Sequence, residues 1–270
     1  MKKNLLILSI ALFLSANMST GAGASGRIES GTLRTSDNIS ITYDRFVSGS
    51  DSIIIICPGF YNSKENRWMR KTVELLSPSY DVLIFDFRGH GKSGGKFTWS
   101  AKEPLDLDAV LNYAKSCGYR SIGIVAFSLG AATAVNEASV RNDIDSMVLI
   151  SCPSKINMID FHFWEPEMIS DLKDNIDCGW EGKGARTGNI FLHKDDPVDI
   201  IGRVKTPILF IHGDHDWVIK DRHSRALYDA APGEKKLSII KGGLHAERLI
   251  QSAPEEVKKL ILDWFLLTLK

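Results

Sequence analysis

Several things are scarce in this 270-residue chain. Only four cysteines occur, far too few for a disulfide scaffold to stand in for a hydrophobic core. Neither sign of charge is in excess, because Lys plus Arg and Asp plus Glu number 33 each. Bulk attraction to nucleic acid or to an anionic membrane surface is therefore excluded. With 9 prolines and 22 glycines, collagen-like and low-complexity readings fall away too. The apolar run Leu5–Leu14 is about half of the roughly 20 residues a membrane-spanning helix needs.

What is present is a composition ordinary for a soluble globular protein, 44% hydrophobic and 24% charged. A chain this long buries a large single core. Its start reads as a targeting segment. Lys2 and Lys3 precede the apolar run, and Ala22-Gly23-Ala24 forms an A-x-A-like cleavage site. Residues 1–24 are expected to be a cleaved secretory signal, the alternative being an uncleaved N-terminal anchor. Export to a periplasm or out of the cell follows as the expectation, with one domain over 25–270. Cys57, Cys117, Cys152 and Cys178 then meet an oxidising compartment. No pairing among them is assigned. Cys57 and Cys152 each end an apolar run, which favours buried thiols packed as small hydrophobes.

Strand-length apolar runs alternate with helical segments. Ile39–Phe46 alternates behind an Asp37-Asn38 turn signal and reads as one arm of a hairpin. Ser52–Cys57 and Asp81–Asp86 read as buried strands, and Ser121–Phe127, Ser146–Ser151, Pro207–Ile211 and Lys236–Ile240 as strands. Asn62 with Glu65 signals a cap opening a helix to Leu76, and Ser252 with Glu255 a cap opening the last helix. Helices are also expected over Pro104–Ser116, Leu129–Val140 and up to Ala230. The alternation predicts an α/β fold: a mostly parallel sheet with helices on both faces and antiparallel edge strands from the hairpin. Residues 153–199 break the rhythm. They carry Phe161, Phe163 and Trp164 among acids, and a connection this long is expected to be a small cap insertion.

In an open parallel sheet, ligands bind beyond the carboxyl ends of the strands. The segments there are Pro58-Gly59-Phe60, Phe87–Gly95, Ser128-Leu129-Gly130, His212–Asp216 and Gly242–His245. Three of them supply a hydroxyl, an acid and an imidazole, in that chain order. Ala126-Phe127-Ser128-Leu129-Gly130 resembles the nucleophile elbow of the α/β-hydrolase superfamily, with Ala in place of the first Gly. The segment 86–95, D-F-R-G-H-G-K-S-G-G, resembles the corresponding loop of monoglyceride-lipase-like and serine-aminopeptidase-like members. The acid loop at 212–219 and Pro58-Gly59-Phe60 resemble theirs as well.

The resemblance implies an α/β-hydrolase fold of about eight strands and a serine hydrolase. Ser128 would be the nucleophile, His245 its general base and Asp216 the acid orienting it. Backbone N–H groups of Phe60 and Leu129 would form the oxyanion hole. Phe161, Phe163 and Trp164 are expected to build an apolar pocket for a small-molecule ester, of short or medium chain or a monoacylglycerol. A peptidase, an acyltransferase or a binding module on the same fold are the alternatives. Asp214 is expected to be a turn residue, and His90 to brace its own loop. No cofactor is expected: Gly89–Gly94 matches G-x-G-x-x-G, yet continues as loop where a dinucleotide site opens into a helix. No metal is expected at His212, Asp214, His215 and Asp216, since residues so close in sequence seldom converge. The sequence assigns no oligomeric state.

Overall fold

Runs of Ile, Val and Leu make the centre of the molecule a sheet buried on both faces. The computed structural model describes residues 26–156 and 182–269. Its strands are β1 (Arg27–Arg34), β2 (Ser40–Val47), β3 (Ser52–Cys57), β4 (Asp81–Phe85), β5 (Ser121–Phe127), β6 (Ser146–Ile150), β7 (Ile208–Gly213) and β8 (Lys235–Ile240). They form one sheet in the order β1-β2-β4-β3-β5-β6-β7-β8. β2 runs antiparallel to β1 and to β4, and the remaining pairs are parallel. This is the α/β-hydrolase architecture the chain was expected to adopt.

The apolar runs explain the layering, because successive side chains of a strand point to opposite faces. Ile53, Ile55, Ile124 and Phe210 join one hydrophobic cluster, whereas Ile54, Ile56, Val125 and Leu209 join a second. The first cluster packs under helices α2 (Pro104–Ser116), α3 (Leu129–Ala138) and α5 (Arg222–Ala230). The second packs under α1 (Arg67–Leu76), α6 (Arg248–Ser252) and α7 (Pro254–Thr268). A short helix α4 (Pro197–Ile200) leads into β7. Each buried large aliphatic side chain contributes about 1.5–3 kcal/mol, so the double-sided burial dominates stability. Cys57 and Cys152 are buried with free thiols, which burial pushes well above the ordinary thiol range; Cys117 is free and exposed. Cys178 lies outside the described residues.

Two cap signals act differently from the sequence expectation. α1 starts at Arg67, capped by Asn66, whose side chain accepts from the Trp68 and Met69 N–H groups. Asn62 is drawn elsewhere: its amide donates to Glu247 at 2.9 Å. Lys64 likewise turns inward, its N–H donating to Asp86 and its ammonium to Asp44. At the other end, α7 starts at Pro254, and the Ser252 hydroxyl donates back to the Arg248 carbonyl, closing α6. In both places a one-turn segment with its own partners precedes the long helix.

The parallel register brings strand ends to one edge. Cys57 stands beside Ala126, Phe127 beside Ile150, Ile150 beside Ile211, and Gly213 beside Ile240. Residues that follow these strands therefore emerge side by side. Residues 182–188 of the 153–199 segment cross this edge, with backbone bonds from Ser63 to Gly182, Gly184 to Tyr61 and Phe97 to Arg186. The middle of that segment lies outside the described residues.

Gly130, in the first turn of α3, lies hard against the end of β3. A Cβ there would lie 2.3 Å from the Pro58 carbonyl oxygen and 2.6 Å from that of Cys57. Both obstacles are backbone atoms, which yield little. Gly130→Ala is expected to lose about 1–3 kcal/mol of stability through overpacking, read as a lower midpoint of urea unfolding. An unchanged midpoint would show that α3 can retreat from β3.

Candidate active site

β5 ends in a turn too sharp for ordinary backbone. Ser128 sits at φ 50°, ψ −121°, a conformation that costs about 1–3 kcal/mol and persists only where its surroundings impose it. The surroundings do so: the Ser128 N–H continues the sheet by donating to Ile150, and its carbonyl accepts the first bond of α3 from Ala131. Gly59 passes so close that a Cβ there would meet the Ser128 Cβ at 3.2 Å. Ala126, fully buried in the sheet, fills the place where the family motif has its first Gly.

The imidazole and the acid arrive from β8 and β7. His245 Nε2 lies 3.0 Å from Ser128 Oγ, and its Nδ1 lies 2.8 Å from Asp216 Oδ2. A carboxylate only accepts, so Nδ1–H donates to Asp216. That leaves the Nε2 lone pair to accept from the Ser128 hydroxyl. Asp216 Oδ1 meanwhile accepts the N–H groups of Val218 and Ile219, at 2.9 and 2.8 Å. Asp216 is fully buried. Burial alone would raise its pKa, but the electrostatic pull of His245 and the hydrogen bonds from His212 and His245 hold the carboxyl far below its ordinary range. The charge is thus kept where water cannot screen it.

His212 proves to be a second partner of that acid. It is fully buried. Its Nε2 lies 2.7 Å from the Ile219 carbonyl and 3.2 Å from Asp216 Oδ2, and its Nδ1 2.7 Å from Ser224 Oγ. Nε2 therefore carries the hydrogen, and the serine donates to Nδ1. Asp214 points away, accepting the Gly242 N–H at 2.6 Å and so tying the acid loop to the loop that carries His245.

The Phe60 loop is held from two sides. The Tyr61 N–H donates to His90 Nε2 at 3.1 Å, so His90 is neutral with its hydrogen on Nδ1, facing the Arg88 carbonyl at 3.2 Å. Burial pushes the His90 pKa down to about 4. From the other side, Asn62 reaches Glu247, two residues past His245. Neither strut announced itself in the sequence, since the partners are 29 and 185 positions apart. Arg88 anchors the neighbouring loop through Asp37 and the fully buried Asp106.

Phe60, Leu129, Ser128 and His245 share one small cavity of about 120 Å³, with Trp99, Val218 and Ile219 completing the described lining. The sequence did not single out Trp99. Two larger clefts, of about 790 and 520 Å³, lie elsewhere and contain none of these residues. Size is a poor guide here, because neither cleft has a histidine among its described lining residues to serve a serine. Phe161, Phe163 and Trp164 lie outside the described residues. Chemically, the cavity offers a hydroxyl polarised by a neutral imidazole, whose far nitrogen is fixed on a buried anion.

His90 supplies a pH test. The unfolded imidazole takes a proton below about 6.5, while the folded one resists until about 4. The unfolded state then binds more protons, so this stability is lost as pH falls through that window. Between pH 7 and 5 the native chain is expected to lose about 2 kcal/mol more than His90→Gln, measured by urea unfolding at both values. Equal losses would show that His90 does not brace the loop as a neutral acceptor.

Known proteins share this arrangement of chain. The model of the alpha/beta hydrolase fold family matches residues 52–176, and that of the serine aminopeptidase S33 family matches residues 190–247. The uncharacterized protein YqkD of Bacillus subtilis is 29% identical over 209 residues, covering 72% of this chain and 64% of its own. Human protein ABHD12B is 26% identical over 206 residues, covering 70% and 52%. The chain thus spans about half to two thirds of these relatives. Among solved structures, the Pyrococcus furiosus esterase Pf2001 is 25% identical with a TM-score of 0.74, covering 94% of this chain and 98% of that one. A thermophilic esterase from Thermogutta terrifontis has the same fold, with a TM-score of 0.69 at 16% identity over 88% of this chain and 98% of its own. With its sheet order and motif spacing, this chain belongs to the α/β-hydrolase superfamily.

Proposed function

We propose that the protein is a serine hydrolase that cleaves a carboxylic ester through an acyl-enzyme. The observation that carries this reading is the unbroken chain from Ser128 Oγ through His245 to Asp216, at 3.0 and 2.8 Å. The likeness to an esterase at 25% identity over nearly the whole chain supports it.

The steps use the chain's own groups. Ser128 Oγ bonds to the ester carbonyl carbon while its proton passes to His245 Nε2. The carbonyl oxygen takes up the negative charge and meets the N–H groups of Phe60 and Leu129. Leu129 opens α3, whose partial positive end favours that charge. On collapse, the carbon–oxygen bond to the alcohol breaks and His245 returns its proton to the departing oxygen. Water then repeats the sequence on the acyl-enzyme, with His245 again as base. Asp216 stabilises the imidazolium each time. The apolar lining around Ser128 suits a short- to medium-chain acyl group. Residues 1–24 as a cleaved signal, and hence export, belong to the same proposal.

A second reading has one observation in its favour, the serine aminopeptidase match over 190–247. An amide substrate would use the same groups with an amine as leaving group. Turnover of aminoacyl amides at rates rivalling esters would select it.

A fluorophosphonate should add once to the folded protein, at Ser128, and not to His245→Ala. Asp216→Asn should lower kcat on the best ester about 10⁴-fold, because it favours the wrong imidazole tautomer. A folded protein that neither takes the label nor turns over any ester would sink the proposal.

A further inference from the structure

Beside the Ser128 cavity, two consecutive non-glycine residues occupy the left-handed region, Trp99 at φ 63° and Ser100 at φ 68°. For a bulky residue this is a genuine outlier. Such strain persists only when neighbouring contacts over-determine it, and it gathers at functional sites. Both flanks of Trp99 are indeed fixed. Before it, the Thr98 N–H donates to Glu103 at 2.7 Å and the Thr98 hydroxyl at 3.0 Å. After it, the buried Ser100 hydroxyl donates to the Leu129 carbonyl at 3.2 Å and lies 3.0 Å from the Thr133 hydroxyl. The strained turn is thereby fastened to the first turn of α3, one residue past Ser128.

Held between these anchors, the half-buried Trp99 ring packs on Phe60 with centroids 4.7 Å apart and on Phe97 at 5.8 Å. Phe60 and Trp99 rest on a cluster of Phe97, Leu129, Ala132 and Ile156. The aromatic pair and Leu129 line the same cavity as Val218, Ile219 and His245. His245 must reach the departing oxygen, so the alcohol lies on its side. Among the described lining residues, Phe60, Trp99 and Leu129 then form the wall that faces the acyl chain. The cavity measures about 120 Å³, small beside the roughly 300–1,000 Å³ of common ligand clefts.

Resting on the ester-hydrolase reading, we propose that Trp99 determines acyl-chain length. Its indole closes the acyl end of the cavity and restricts the substrate class to esters of short-chain acids. The strained backbone serves this role, since relaxing it would swing the ring off Phe60 and open the wall.

The test compares kcat/KM for p-nitrophenyl acetate, butyrate and octanoate in the native protein, Trp99→Ala and Trp99→Leu. Each variant is first titrated at Ser128 with a fluorophosphonate, so that only assembled sites are counted. The native protein should prefer butyrate to octanoate by at least about tenfold, the scale on which an apolar pocket discriminates chain length. In both variants the octanoate-to-butyrate ratio should rise by at least about tenfold. A purely structural role for Trp99 would lower all three esters in parallel and leave the ratio unchanged. That outcome, or a native protein indifferent to chain length, overturns the inference while the esterase reading stands. Absence of turnover on every ester by the native protein overturns the esterase reading and this inference together.

Discussion

The carboxyl edge of the sheet depends on one backbone turn, at Ser128. Its left-handed conformation points the hydroxyl out of the sheet toward the β7 and β8 loops. The turn exists because β5 is pinned between β3 and β6, while α3 must start at once. Gly130 lets that helix pass the carbonyls of β3, and Gly59 lets the Phe60 loop pass Ser128. The conformation is costly in isolation and is stabilised by the burial of the strands on either side.

A second constraint is a negative charge without solvent. Asp216 has both oxygens occupied, one by two backbone N–H groups and the other by two imidazoles. An unpaired charge in such a place would neutralise by taking a proton. Four donors keep it ionised, and the ionised form in turn orients His245. His212 belongs to this set as a neutral donor, with Ser224 selecting its tautomer. The loops are joined in a ring as well: Asp214 reaches the His245 loop, Asn62 reaches Glu247, and His90 receives Tyr61. Because each loop leans on another, the site behaves as one unit with the sheet edge.

Much of the scaffold was legible locally. The Ile-rich run 52–57 and the small-residue helix behind Ser128 announce themselves by period and by buried width, and the loops that follow them can be read off in order. β1 was visible only as the implied partner of a hairpin. It is a polar edge strand with alternating exposure, and such a strand carries little apolar signal. The cap signals at Asn62 and Ser252 misled for a related reason. A polar side chain near a helix start caps it only if no distant group claims it first, and Glu247 and the Arg248 carbonyl do claim these two.

By itself, the sequence determined the alternation of strands and helices, and with it the expectation that Ser128, Asp216 and His245 would follow neighbouring strands. Those features are local, because burial on two faces demands an apolar run wherever a central strand lies. Tertiary structure alone decided where the other histidines turn. His212 turns to the back of Asp216 and His90 to the Tyr61 N–H. It also decided that Trp99 lines the cavity on a strained turn. Such choices rest on strand register and loop contacts between residues distant in the chain, which no window of sequence contains.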